Sequence, residues 1–153
     1  MSPDRPRRVA PRMISAAVCV LATASALLAV AQDAPATVWD GVYTAAQADR
    51  GGVVYMKDCA SCHGEGLTGV DEAPGLVGPT FLSNWNTQSV NDLVDLTRKS
   101  MPKDSENTLT RQQYVDVTAF VLRANGFPAG DVDLPQGALR LGQIRIDAFR
   151  AAP

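Results

Sequence analysis

Hydrophobic and polar positions divide the chain into a leader, a helical middle and a tail. Arg5, Arg7, Arg8 and Arg12 precede an uncharged, Ala/Val/Leu-rich run from Ile14 to Ala31 that closes on Ala29-Val30-Ala31. A basic start, an apolar middle and an A-x-A end predict a secretory signal peptide over 1–31, cut before Gln32. Eighteen residues, many of them small, are at the short limit for a membrane span, so an uncleaved anchor is the alternative. Residues 32–43 form a polar lead-in without clear period. Thr44-Ala45-Ala46-Gln47 has the form of a capping box and predicts a helix from about Ala45 to Asp58. Gly51-Gly52 costs that helix about 1 kcal/mol per glycine relative to Ala, which makes sense where another helix crosses closely. A kinked surface helix, the alternative, would leave Val54 and Tyr55 nowhere to be buried.

Gly64 to Gly69 reads as a loop, and Ala73 to Phe81 continues without regular pattern. Ser89-Val90-Asn91-Asp92 starts a second helix, with Ser89 as N-cap and Val90, Leu93, Val94 and Leu96 as its apolar side. Pro102 stops it and pushes Met101 out of helical geometry. A second capping box, Thr110-Arg111-Gln112-Gln113, opens a helix from about Arg111 to Ala124. Its apolar residues are Tyr114, Val117, Phe120, Val121 and Leu122, and it ends at Asn125-Gly126. This helix is the natural crossing partner of the Gly51-Gly52 helix. The pattern therefore predicts an all-α domain over 44–126 with three to five short helices. A tail over 127–153 follows, in which Ile144-Arg145-Ile146 could be an edge strand or lie on the domain or on a partner.

Cys59-Ala60-Ser61-Cys62-His63 carries the candidate chemistry. C-x-x-C-H is the attachment signature of a c-type haem: two thiols one helical turn apart can add across the two vinyl groups of one porphyrin, and the adjacent imidazole reaches the iron. Two other readings compete. A zinc site needs about four ligands, and the chain has one other cysteine, Cys19 in the leader, and no other histidine. A thioredoxin-like dithiol site belongs at a strand-to-helix turn, and no βαβ pattern flanks the motif.

Charge then narrows the partners. Of 14 basic and 16 acidic residues, four Arg and one Asp lie in the leader, which leaves a net charge of −5. That balance argues against nucleic acid and against an anionic lipid surface, and favours a partner with a basic or an apolar docking patch. Removal of Cys19 leaves no disulfide, so a small exported domain needs another staple. A covalently held, mostly apolar macrocycle would serve.

Elimination points to the second iron ligand. No second histidine exists, Met1 and Met13 leave with the leader, and Met56 lies too close before Cys59 to reach the opposite face. Met101, 38 residues after His63 on a Met-Pro turn, can pass around the ring edge. Leu76 and Phe81 are the expected apolar lining, and the Trp85 indole N–H is a candidate partner for a haem propionate. Filling both axial positions with His63 and Met101 favours ferrous iron and leaves electron transfer as the task. A haem enzyme or sensor with an open iron site, or a thiol-disulfide exchanger, are the alternatives.

The order helix, C-x-x-C-H, glycine loop, helix, Met-Pro, capped last helix resembles a class I monohaem cytochrome c over about Ala45 to Asn125. The resemblance implies that a proline carbonyl accepts a hydrogen bond from the proximal imidazole, with Pro74 the best match and Pro79 the second. Asp49-Arg50-Gly51, Cys59 to Gly64, Ser100-Met101-Pro102 and Val121 to Pro128 look, more narrowly, like the cytochromes that serve quinoprotein (PQQ) dehydrogenases. This implies a periplasmic carrier, or a dehydrogenase subunit, that takes electrons from such an enzyme and passes them to a terminal oxidase or another cytochrome. The 27 residues after Gly126 depart from the family pattern and read as a partner-binding arm, removable without loss of the haem domain.

Overall fold

The computed structural model describes residues 36–150; the expected leader, its cleavage point and Cys19 lie outside them. Among the described residues there are six helices: α1 (Ala45–Asp58), α2 (Ala60–His63), α3 (Gly78–Trp85), α4 (Val90–Ser100), α5 (Arg111–Ala124) and α6 (Ala138–Leu141). Two strands of two residues, β1 (Ala36–Thr37) and β2 (Ile144–Arg145), pair in parallel. Four helices have eight residues or more, within the expected number, and α2 and α6 are single turns. No helix among the described residues is long and apolar enough to cross a membrane.

The three helices with sequence caps begin where their caps place them. Ser89 accepts from the Asp92 N–H and Asp92 returns the bond, and Thr110 and Gln113 do the same for α5, so orphan N–H groups are satisfied reciprocally. Thr44 accepts from the Gln47 N–H, but the box there is only half formed. The Gln47 side chain is fully buried and grips the tail instead, accepting from the Leu134 N–H at 2.6 Å and donating to the Leu134 carbonyl at 3.3 Å.

α1 and α5 make the largest helix–helix interface of the described residues. Gly51 is the reason they can approach: a Cβ there would fall on the Asp116 carbonyl oxygen of α5. Tyr55 and Phe120 stack beside this point with ring centroids 5.2 Å apart. Buried Asp116 is held next to it by Arg50 Nε at 3.2 Å and Gln112 Nε2 at 2.6 Å. Only Gly51 faces main chain, because a Cβ on Gly52 would meet the Phe120 ring at 3.3 Å.

Two sequence expectations change. Residues 78–81 belong to a helix rather than an irregular stretch: Pro79 opens α3, where its missing N–H is one of the orphans anyway, and Phe81 and Trp85 lie one turn apart on a common face. The segment 127–150 is not a detached arm. Although mostly irregular in backbone, it buries Leu134, Leu141, Ile144 and Ile146 in the same core as Val38 and Tyr43 of the lead-in. Trp39 donates to the Asp147 carbonyl at 2.9 Å and meets Phe127 edge-on at 4.8 Å, while Tyr43 donates to the Phe127 carbonyl at 2.5 Å. Ile146 exchanges backbone bonds of 2.8 Å with Thr87 and Gln88, which ties the strap to the α3–α4 turn. The two flanks thus clasp each other across the helical core.

Candidate haem site

The chain breaks from helix at Cys59, which ends α1 and starts α2 with φ −129° and ψ −35°. The Cys62 and His63 N–H groups then bond back to the Cys59 carbonyl at 3.2 and 3.0 Å, a single turn that brings three spaced side chains together. Tyr55, one turn earlier, donates its hydroxyl to the Gly64 carbonyl at 2.6 Å and pins the exit of that turn. Burial, with a smaller contribution from Cys59, pushes the Tyr55 phenol up to about 12. Burial is also the main cause, ahead of the Asp58 carboxylate and Cys62, that pushes the Cys59 thiol up to about 11.

His63 is buried, and its Nδ1 lies 2.8 Å from the Pro74 carbonyl oxygen. A carbonyl can only accept, so the proton sits on Nδ1 and the Nε2 lone pair is available to a metal. The structure thus selects Pro74; Pro79 is instead in the first turn of α3. Met101 caps α4 in extended geometry, φ −135° and ψ 150°, with its N–H bonded to the Thr97 carbonyl. Its own carbonyl accepts from the Tyr114 hydroxyl of α5 at 2.9 Å.

All eight residues singled out from the sequence line one cavity of about 650 Å³: Cys59, Cys62, His63, Pro74, Leu76, Phe81, Trp85 and Met101. Its volume lies in the range of about 300–1,000 Å³ usual for cofactor sites. α3, α4 and α5 complete the wall through Leu93, Leu96, Val117, Thr118 and Val121. Leu96 is 54% exposed on that wall, an apolar side chain awaiting an apolar occupant. Two thiols on the rim, a metal-ready imidazole inside and an otherwise largely apolar lining fit a covalently attached haem.

Sequence reasoning had placed Leu93, Val117 and Val121 on apolar helix faces without connecting them to the cavity. A signal for that connection was present in Leu96, which widens the apolar side of α4 beyond what packing on α5 requires. Tyr55, Tyr114 and Asn125 carry hydrogen bonds that no pattern in their own segments foretold.

This arrangement defines the class: the protein is a monohaem c-type cytochrome, with haem c covalently bound and electron transfer as its function. Residues 46–121 match the family model described as "Cytochrome C oxidase, cbb3-type, subunit III". Among solved structures, the chain is similar to the sulfane dehydrogenase SoxCD from Paracoccus pantotrophus, at 24% identity and a TM-score of 0.44. That similarity covers 61% of this chain and 55% of the other, so the chain spans little more than half of that relative's length. No curated protein matches it.

Proposed function

We propose that the protein is an exported, periplasmic electron carrier, or the electron-accepting subunit of a dehydrogenase, whose single haem iron is ligated by His63 and Met101. The leader over 1–31 carries it across the membrane, and residues 44–126 hold the cofactor. The observation that carries the reading is that His63 and Met101, 38 residues apart, line one cavity. Bound haem c supplies one-electron ferric/ferrous chemistry there.

The chain's own groups do the rest. Cys59 and Cys62 anchor the group, and the Pro74 carbonyl fixes the His63 tautomer and raises the basicity of Nε2. Tyr114 holds the Met101 backbone, and Leu76, Phe81, Leu93 and Leu96 exclude water. A dry, sulfur-ligated site raises the potential. The net charge of −5 expected after leader cleavage suits a donor or acceptor with a basic face. The donor on this reading is a dehydrogenase, in its narrowest form a quinoprotein, and the acceptor a terminal oxidase or another cytochrome.

The thiol-exchange alternative needs a thiolate near neutral pH, and burial keeps Cys59 protonated. The open-iron alternative is tested directly. Met101→Ala should retain covalent haem, bind carbon monoxide rapidly when reduced and show a lower midpoint potential. An unchanged potential and no carbon monoxide binding in that variant would show that Met101 is not the ligand.

A further inference from the structure

Asn125 sits at the C-terminal cap of α5, where Gly126 at φ +83° ends the helix. A helix stop needs little from the Asn side chain, yet all of its amide functions are engaged. Nδ2 donates to the Val121 carbonyl in its own helix at 2.9 Å and to the Leu76 carbonyl at 2.9 Å. Oδ1 accepts from the Gly78 N–H at 3.1 Å. Two carbonyls on one side and an N–H on the other permit only this orientation of the amide.

Leu76 is two residues from Pro74, the carbonyl partner of His63. Its N–H is bonded inward to the Leu67 carbonyl at 2.7 Å, so the Leu76 peptide is suspended between the loop and α5. The neighbouring ties stay local: Ala73 bonds to Val70, and Gly69 to the His63 carbonyl. Among the described residues, Asn125 makes the only hydrogen bonds that join segment 70–78 to a helix of the framework. Without them the Pro74 carbonyl rests on a loop that anchors only to itself.

We propose that Asn125 is a positioning residue for the proximal imidazole: by holding the Leu76 carbonyl it fixes the Pro74 carbonyl against His63 Nδ1–H. The proposal rests on the reading of His63 as an iron ligand and adds a residue 62 positions away that sets that ligand's hydrogen bond. Asn125 acts through backbone and touches neither ring nor iron. Ligand partners of this indirect kind tune basicity and orientation.

The test uses the haem-loaded, isotopically labelled full-length protein in its diamagnetic ferrous state. The rate at which His63 Nδ1–H exchanges with solvent is read by NMR in wild type, Asn125→Ala, Asn125→Asp and Leu134→Ala. Aspartate keeps an acceptor for the Gly78 N–H but has no donor for Leu76. Leu134→Ala destabilises the core from the tail, away from the loop. Both Asn125 variants should exchange about tenfold faster or more, the local protection of roughly one hydrogen bond, while Leu134→Ala exchanges at the wild-type rate. Wild-type exchange in Asn125→Asp, or equal acceleration in all three variants, would overturn the positioning role while leaving the ligand reading intact. A wild-type spectrum without an iron-bound imidazole would instead overturn the ligand reading, and the proposal with it.

Discussion

Adjacent glycines in α1 should respond to alanine with opposite signs. A Cβ on Gly51 would lie 1.8 Å from the Asp116 carbonyl oxygen, 2.4 Å from its carbon and 2.9 Å from the Val117 nitrogen. These are main-chain atoms of α5, so no rotamer change relieves them. The helices would have to part from 1.8 Å to the 3.4 Å at which ordinary contact begins, a shift of about 1.6 Å. Overpacking of this kind costs about 1–3 kcal/mol and occasionally more, and a backbone clash belongs at the upper end. Alanine's better helix propensity returns about 1 kcal/mol. The net for Gly51→Ala is therefore a loss of roughly 2 kcal/mol or more. At Gly52 the same Cβ meets the edge of the Phe120 ring at 3.3 Å, which can pivot. Propensity then dominates, and Gly52→Ala should be neutral or stabilising by up to about 1 kcal/mol. Thermal unfolding of the two haem-loaded variants, followed by far-ultraviolet circular dichroism, should separate their Tm values by roughly 10 °C. Equal Tm values, or Gly52→Ala the weaker of the two, would refute the close crossing at Gly51.

Three further outcomes follow from particular contacts. Tyr114→Phe removes the hydroxyl bonded to the Met101 carbonyl, worth about 1 kcal/mol net, so imidazole should displace the sixth ligand of ferric protein roughly fivefold more readily; an unchanged displacement constant contradicts the contact's role. Deleting 130–153 removes four buried aliphatics, Leu134, Leu141, Ile144 and Ile146, together about 6–12 kcal/mol of burial, comparable to a whole domain's stability. The truncated haem-free chain should lack cooperative unfolding by circular dichroism, and a sharp transition would return the segment to the status of an accessory arm. Tyr55 holds its proton up to about 12 where the unfolded chain releases it near 10, so the unfolded state binds fewer protons in that window and stability falls as pH rises through it. Denaturant titrations between pH 9 and about pH 12 should show that decline in wild type and a smaller one in Tyr55→Phe; equal slopes would mean another group is responsible.

Features set by neighbouring residues could be read before the fold was known. Ser89 with Asp92, and Thr110 with Gln113, fix helix starts through bonds spanning three residues, and Cys59, Cys62 and His63 are one turn by spacing alone. Met101 was reachable because composition left so few other ligands. Where meaning depends on distant partners, the sequence was silent or misleading. Gln47 has the form of the second half of a cap, but Leu134, 87 residues on, competes for its amide and wins. Gly78-Pro79 looks like a break because Pro stops helices, whereas at the first turn it starts one. The tail's apolar residues are too sparse for any period; they are buried because Val38 and Tyr43 arrive from the other flank. Asn125 announces a helix end, and nothing nearby in sequence says that its amide reaches Leu76.

The account's central claim is an iron closed on both faces, by His63 from below and Met101 from above. Rapid mixing of the dithionite-reduced, haem-loaded protein with carbon monoxide tests it most directly. The account predicts no appreciable binding in wild type and fast, stoichiometric binding in Met101→Ala. Fast binding by the wild-type protein would contradict it.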